Sequence, residues 1–235
     1  MNINDIRAAS RRELAEQRAE AHNVSETTPA ETTPAVTSFA ISLGGEEPRY
    51  VPVIDDTHGL YGWCSDGVTQ KILADGGNPV FGWTIWEWPK ALLTAEFHCV
   101  WKSPEGDLFD ITPKPKEEGR ILFVPDTSYP DDFDFDKRPR NRRVRIYQGQ
   151  DRSIQADVLL DELSGAKRAY EERRSAKAGV SLHDWLMHKV PADRVESAID
   201  DLIDACNQFE EHFDSLGASG LVQAGTGERM VENVR

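Results

Sequence analysis

The amino-acid sequence predicts an α+β fold in which a cysteine-bearing helix packs on a mostly antiparallel sheet, with a helical hairpin at the C-terminal end. Residues 80–88 and 92–101 are rich in aromatic and β-branched side chains, a composition typical of strands. Near the C-terminus, apolar residues recur at spacings of three and four, which is the period of a helix face. Strand and helix signals thus occupy separate parts of the chain, as in an α+β protein.

The composition limits the size of the core and the kinds of partner. The chain has 235 residues, 39% of them hydrophobic, and a net charge of -14, so we expect one medium domain or a small domain plus an appendage, with part of the chain disordered. Because phosphate groups are bound by Lys and Arg, an acidic surface does not favour nucleic acid or anionic lipid as a partner. The basic residues 137–145 directly follow the acidic residues 131–136. We interpret these blocks as a solvated loop whose charges screen each other.

Hydropathy and cysteine content both favour a cytoplasmic protein. No apolar run approaches the roughly 20 residues of a membrane span, and the N-terminal residues lack the apolar core of a signal peptide. The three cysteines are odd in number and widely spaced, which suits free thiols in a reducing compartment better than a disulfide framework. We therefore expect no membrane partner.

Two segments precede the predicted core, which we place at residues 39–150. Residues 1–24 predict an N-terminal helix. Its apolar stripe is thin, which is typical of a helix that becomes ordered when it binds a partner. Residues 25–38 are rich in Thr, Pro and Glu and are predicted to be a disordered linker, since they offer too little apolar surface to offset the entropy of ordering. Residues 38–56 then predict a short strand, a Gly-Gly turn and a second strand.

A helix is predicted from Ser65 to the Gly76-Gly77 pair, with Ser65 and Asp66 in capping and first-turn positions. This boundary places Cys64 at the N-terminus of the helix. Four strands are expected after it, paired mostly antiparallel: residues 80–88, 92–101, 107–112 and 120–125.

Residues 151–216 predict the C-terminal helical hairpin. Its last helix starts near Pro191 and carries an apolar stripe at spacings of four and three. Cys206 belongs to that stripe, so we interpret it as a core residue and not as a reactive thiol. The stripe consists of Val195, Ile199, Leu202, Cys206, Phe209 and Phe213.

An earlier segment, from Leu159 to Tyr170, has the same spacing and predicts the first helix of the hairpin. Residues 181–189 predict a short helix between the two. The hairpin could pack on the core or project as an arm, and as an arm it would offer a surface for a protein partner. Residues 217–235 are predicted to be a flexible tail.

Residues 92–112 are predicted to form a hairpin that carries the candidate chemistry, because a His, a Cys and an Asp lie near its turn. Successive side chains of a strand point to opposite faces, so His98 and Cys99 face opposite ways. Cys99 shares its face with apolar residues and is expected to point into the core. His98 and Cys99 could therefore bind the same metal ion only if the strand were distorted. The spacing of Cys64, His98, Cys99 and Asp110 also differs from that of familiar zinc sites, so no metal is predicted.

The length of the hairpin loop decides whether Asp110 lies near His98. A three-residue loop that ends in Gly106, with this glycine in the left-handed position, pairs Ser103 with Asp107. In that register Asp110 lies diagonally beside His98, at a distance that cross-strand neighbours can reach. A two-residue loop would turn Asp110 to the other face. Glycine at the third loop position favours the first arrangement.

Cys64, His98 and Asp110 are therefore the candidate catalytic residues of a thiol enzyme. A thiol at a helix N-terminus lies near unpaired amide donors and the positive end of the helix dipole, which favour the thiolate. The same amides could hold a developing oxyanion. His98 would act as general base and acid, and Asp110 would orient its ring and stabilise the protonated form. Taken singly, each residue also has a structural interpretation: a buried thiol, a structural strand histidine and a strand-end acceptor.

This order of residues resembles the papain-like superfamily, in which a cysteine opens a helix and two neighbouring strands bear a histidine and an Asp or Asn. The segments "HCVW" and "GDLFDITP" look most like the transglutaminase-like and arylamine acetyltransferase branch, and the NlpC/P60 amidases are more distantly similar. The resemblance covers about Tyr61 to Pro125. It implies a papain-like core and a thiol enzyme that acts on an amide, thioester or isopeptide bond.

Two positions depart from the pattern of that superfamily. Gly67, in the first turn after the cysteine, weakens a helix by roughly 1 kcal/mol relative to Ala. His58 stands where many papain-like proteases carry a Gln that donates to the oxyanion, and we interpret it as an exposed loop histidine.

These residues are compatible with three kinds of protein: an enzyme, an interaction protein and a metal-binding domain. The first is a cytoplasmic, cofactor-free cysteine hydrolase or acyltransferase that acts on a protein or peptide-like substrate through a covalent acyl-thioester. The alternative is a non-catalytic interaction or regulatory protein that retains the fold and binds a partner through the helical arm or residues 131–145. A metal-binding domain is the third. Hydrogen-bonding contact between Cys64 and His98 would favour the enzyme, whereas a separation beyond roughly 7 Å with both buried would exclude it.

Overall fold

The computed structural model of the chain describes residues 2–20, 26–148, 152–189 and 192–215. Across these ranges, seven α-helices and six strands form a mixed α+β protein with helices at its C-terminal end, as the sequence predicts. The helices are α1 (Ile3–Glu20), α2 (Pro34–Ser42), α3 (Cys64–Asp75), α4 (Arg152–Glu162), α5 (Gly165–Ala178), α6 (Leu182–Met187) and α7 (Ala192–Ser215). The strands are β1 (Arg49–Pro52), β2 (Asn78–Trp88), β3 (Leu92–Lys102), β4 (Leu108–Phe109), β5 (Arg120–Pro125) and β6 (Arg142–Arg145).

The strands form one sheet in the order β1-β5-β2-β3-β4, with β6 paired to β3. Every ladder is antiparallel, and β2 pairs with β3 along its whole length. A parallel bridge between Val53 and Asp110 joins the chain just after β1 to the chain just after β4. Because β1 and β4 are the two ends of the strand order, this bridge brings the two edges of the sheet together at one point.

The two faces of the sheet have different surroundings, because side chains alternate along each strand. The outer face carries Phe97, Cys99 and Trp101 and packs against α2 and α3. Cys99 is 1% exposed on this face, so the prediction that it points into the core is confirmed. His98 lies on the inner face, which a second apolar cluster fills: Val51, Val100, Ile121 and Phe123.

One edge of β3 is left open between two short ladders. On this edge β6 pairs with Leu92 to Ala95, and β4 pairs with Trp101 and Lys102. Within the described residues, the stretch Glu96 to Val100 has no strand partner on that edge. Helix α3 packs against β3, so the gap gives the start of this helix access to side chains of both sheet faces.

The segment predicted as a linker and a first strand differs from the prediction. Residues 34–42 form helix α2, with Val36, Phe39 and Ala40 buried. The Thr33 side chain caps the helix by accepting from the Val36 amide, and Pro34 occupies its first turn. These start signals outweigh the strand propensity of the β-branched residues. Residues 26–33 also contact the core, since Thr27 pairs with Glu87 through two backbone hydrogen bonds.

The basic block predicted as a solvated loop is instead part of an interface. Its residues 142–145 form β6, and the arginines pair with acidic side chains of α7. The side chains of Arg143 and Glu210 are both buried, with Nη2 and Oε1 2.5 Å apart, and Arg145 donates to Asp200 at 2.8 Å. These acids lie more than fifty residues later in the chain, so the local charge pattern gave no sign of the pairing.

The C-terminal helices agree in part with the predicted hairpin. Helix α7 buries Val195, Ile199 and Cys206, which confirms that part of its stripe. The first predicted helix is divided in two, because α4 ends at Glu162 and α5 begins at Gly165. Pro191, the side chain of Phe213 and the predicted tail lie outside the described residues. Among the helices of the described ranges, none has the length and apolar character needed to cross a membrane.

Candidate active site

The loop of the β3–β4 hairpin has three residues, as predicted. The Ser103 amide donates to the Asp107 carbonyl at 2.8 Å, and the Gly106 amide donates to the Ser103 carbonyl at 2.9 Å. Gly106 has a φ of +101°, which L side chains rarely adopt, so glycine is the residue that this turn requires. This is the register in which Asp110 was expected to lie beside His98.

Asp110 reaches His98 by a different route from the predicted one. Strand β4 stops at Phe109 instead of continuing to residue 112, and the backbone of Asp110 pairs with the chain beyond β1. The Thr112 amide donates to Oδ1 of Asp110 at 2.8 Å and fixes the carboxylate. The other oxygen, Oδ2, lies 3.2 Å from Nε2 of His98. Asp110 is 0% exposed, so this contact is closed to water.

Lys114 places a second cation against the same carboxylate. Its Nζ lies 2.6 Å from Oδ2 of Asp110, and its side chain is 6% exposed. Burial by itself raises the pKa of a carboxyl, but the charges of Lys114 and His98 hold the pKa of Asp110 well below its usual range. Asp110 is therefore an anion in the folded protein. Lys114 was not predicted from the sequence, because a spacing of four residues indicates an ion pair only on a helix.

His98 is an imidazolium over the neutral range of pH. Burial by itself lowers the pKa of its ring, whereas the charges of Asp110 and Cys64 raise it to about 10. The Nε2–Oδ2 contact with Asp110 is an ion pair without the alignment of a hydrogen bond. A buried ring that stays protonated at neutral pH is a source of a proton and a counter-ion for a thiolate.

Helix α3 begins at Cys64, one residue before the predicted start. Trp63 occupies the N-cap position, and its side chain does not cap the first-turn amides. Cys64 lies beside the His98 ring, where its charge favours the protonated ring, and it is 3% exposed. The structure therefore brings together all three residues that the sequence singled out, Cys64, His98 and Asp110.

The open edge of β3 explains how Cys64 contacts a residue of the inner face. Adjacent residues of β3 point to opposite faces, yet His98 and Cys99 both interact with Cys64. Burial, together with the charges of Cys64 and Asp110, raises the pKa of the Cys99 thiol well above its ordinary value. Cys99 is thus a protonated core thiol beside the site.

The loop before α3 explains one departure from the papain-like pattern. A Cβ atom at Gly67 would lie 2.8 Å from the carbonyl oxygen of His58, so glycine permits this close approach of loop and helix. His58 is half-buried, in contrast to the exposed residue that we expected. Its Nδ1 is buried without a hydrogen-bond partner in the described part of the chain.

The His, Cys, Asp and Glu side chains of the described residues form no group of three that could hold a metal ion. Comparisons of the chain with protein-family models, curated proteins and solved structures find no match.

Proposed function

We propose that the protein is a cysteine-dependent hydrolase or acyltransferase that acts on an amide, isopeptide or thioester bond. The observation that carries this proposal is that Cys64 lies beside the buried His98 ring, whose Nε2 is 3.2 Å from the Asp110 carboxylate. A thiol becomes a nucleophile when a neighbouring base takes its proton and a third group holds that base in place.

The roles follow from which atoms face each other. Nε2 of His98 faces Asp110, so Nδ1 is the nitrogen left to hold the proton that Cys64 gives up, and the reactive form of the pair is a thiolate beside an imidazolium. The thiolate attacks the carbonyl carbon, and the new oxyanion lies near the first-turn amides of α3, which the N-cap residue Trp63 leaves without a cap from its side chain. The carbonyl then re-forms, the bond to the leaving group breaks, and His98 gives its proton to the leaving atom. An acyl-thioester on Cys64 results.

Water or an amine completes the cycle by attacking the acyl-thioester. His98 accepts the proton of the attacking group, and the thiolate leaves. Water gives hydrolysis and an amine gives transfer. The resemblance to papain-like enzymes supports the same assignment, with a protein or peptide-like substrate, and the net charge of -14 argues against a highly anionic one.

The burial of the site favours a second candidate function. Cys64 is 3% exposed and His98 is 5% exposed, so a substrate reaches the sulfur only if neighbouring residues move. A protein that retains these residues as a buried structural cluster, and that binds a partner elsewhere on its surface, would have the same low exposure. Reactivity of the thiol distinguishes the two candidates.

Iodoacetamide alkylation, followed by peptide mass spectrometry, measures that reactivity. The three cysteines are similarly buried, at 3%, 1% and 4% exposure for Cys64, Cys99 and Cys206, so access alone does not favour any one of them. The proposed function predicts that Cys64 reacts at least tenfold faster than the other two near neutral pH, a difference of about 1.4 kcal/mol.

The dependence on histidine completes this test. His98→Ala should abolish the preference for Cys64, whereas His188→Ala, which removes an exposed histidine far along the chain, should leave it intact. Equal rates for the three cysteines in the unsubstituted protein would refute the thiol-enzyme function and support the structural candidate.

A further inference from the structure

Lys114 is a charged group whose position neither the fold nor the proposed reaction explains. It lies in the segment after β4, where its side chain is 6% exposed and its Nζ contacts Oδ2 of Asp110 at 2.6 Å. The ring of Trp86 lies 5.7 Å from the same Nζ. Burying a lysine costs free energy unless a partner compensates it. The chain has placed its charge on the one oxygen that also faces His98.

We propose that Lys114 is a positioning residue of the Cys64 site, which shares the charge of Asp110 with His98 and thereby sets the pH range over which the thiol–imidazole pair is reactive. This inference rests on the proposed thiol chemistry and deepens it, since it names what regulates the protonation of that pair. Lys114 acts through Asp110 and does not touch the reacting sulfur in this scheme.

Lys114 lies close enough to His98 for its charge to lower the pKa of the ring. Lys114 Nζ and His98 Nε2 lie 2.6 and 3.2 Å from the same oxygen, so they are at most about 6 Å apart. At an effective dielectric constant of about 20, a unit charge at that distance shifts a pKa by about 2 units. Lys114 opposes protonation of the ring that Asp110 favours.

The other titratable groups that face this cluster come from two elements, α3 and β3. Cys64 of α3 faces His98, and Cys99 of β3 faces Cys64 and Asp110. Glu96, also on the inner face of β3, is held by the indole N–H of Trp86 at 2.8 Å. These groups are unchanged when Lys114 is replaced, so the difference between two variants isolates its charge.

Removing the positive charge should move the whole reactivity profile to higher pH. Both proton losses of the thiol–imidazole pair become harder when a nearby cation is lost, because each loss makes the site more negative. For Lys114→Met, the pH midpoint of Cys64 alkylation by iodoacetamide is expected to rise by about 1–2 units. Lys114→Arg keeps the charge and should restore the unsubstituted profile.

Lys102→Met provides the matched control, since it makes the same exchange at an exposed position of β3. Its profile should superimpose on that of the unsubstituted protein. A purely structural role of Lys114 would lower the thermal midpoint of the protein without moving the pH midpoint of alkylation. An unmoved pH midpoint in folded Lys114→Met, or an equal shift in Lys114→Arg, would overturn the proposal.

A second pair of variants covers the case in which Lys114→Met fails to fold because it leaves Asp110 unpaired. Asp110→Asn leaves the lysine alone beside His98, and Asp110→Asn/Lys114→Met removes both charges. The midpoint of the double variant should lie about 1–2 pH units above that of Asp110→Asn, and coincident profiles would refute the inference. Failure of the proposed function is distinct, because Cys64 would then show no preference and no dependence on His98 in any variant.

Discussion

Replacement of Asp110 by Asn should remove the proton from His98 at neutral pH. The Asp110 carboxylate lies 3.2 Å from Nε2, and a unit charge at that distance contributes about 5 kcal/mol at an effective dielectric constant of about 20, or about 4 pH units. The pKa of His98 is raised to about 10 in the folded protein. In Asp110→Asn, it should therefore fall to the ordinary histidine value or below, because burial and Lys114 both oppose the imidazolium.

Long-range proton–nitrogen NMR of the histidine rings measures this change directly. In the unsubstituted protein, both ring nitrogens of His98 should carry protons from pH 6 to pH 9, whereas the Asp110→Asn ring should lose one within that interval. Asp107→Asn, at an exposed position of the same hairpin, should behave like the unsubstituted protein. Titration of His98 near 6.5 with Asp110 present would refute the electrostatic account of the site.

The remaining predictions concern stability, each measured by urea unfolding. The first uses Cys64→Ala, so that the thiol proton does not contribute to the pH dependence of stability. The pKa of His98 is higher in the folded protein than in the unfolded chain, so above pH 6.5 the folded state retains a proton that the unfolded chain has lost. The free energy of unfolding should then be highest below pH 6.5 and fall by about 1.4 kcal/mol per pH unit as the pH rises toward the folded pKa; Cys64→Ala/Asp110→Asn should lack this slope. Arg143→Met leaves the buried Glu210 carboxylate unpaired and should cost about 3–5 kcal/mol, whereas Arg140→Met, at an exposed pair, should change little. Gly67→Ala should destabilise by about 1–3 kcal/mol, because its Cβ would lie 2.8 Å from a carbonyl oxygen; a gain in stability, as helix propensity alone predicts, would contradict the packing of the loop.

Local patterns of the sequence predicted the parts of the site that depend on adjacent residues. Alternation along β3 separated His98 from Cys99, and the glycine at position 106 predicted the loop length. The start of α3 was predicted to within one residue. Each of these features depends on backbone geometry over fewer than ten residues, which is the range where sequence patterns are informative.

Long-range contacts could not be predicted in the same way. Lys114 reaches Asp110 only because β4 ends early and the chain turns after the bridge to Val53. The ion pairs between β6 and α7 join segments that are far apart in the sequence, and a local charge pattern does not indicate which distant segments pair. Helix α2 was mistaken for a linker and a strand because the signals of its start, Thr33 and Pro34, lay within a segment of polar composition.

Trapping of the acyl-thioester tests the central claim most directly. With p-nitrophenyl acetate, the account predicts a burst of one equivalent of p-nitrophenolate and, in the intact mass, one acetyl group that peptide mapping places on Cys64. The burst should disappear in Cys64→Ala and slow by at least 100-fold in His98→Ala, while Cys206→Ala should retain it. Absence of a burst from the unsubstituted protein, or an equal burst from Cys64→Ala, would contradict the assignment of Cys64 as the nucleophile.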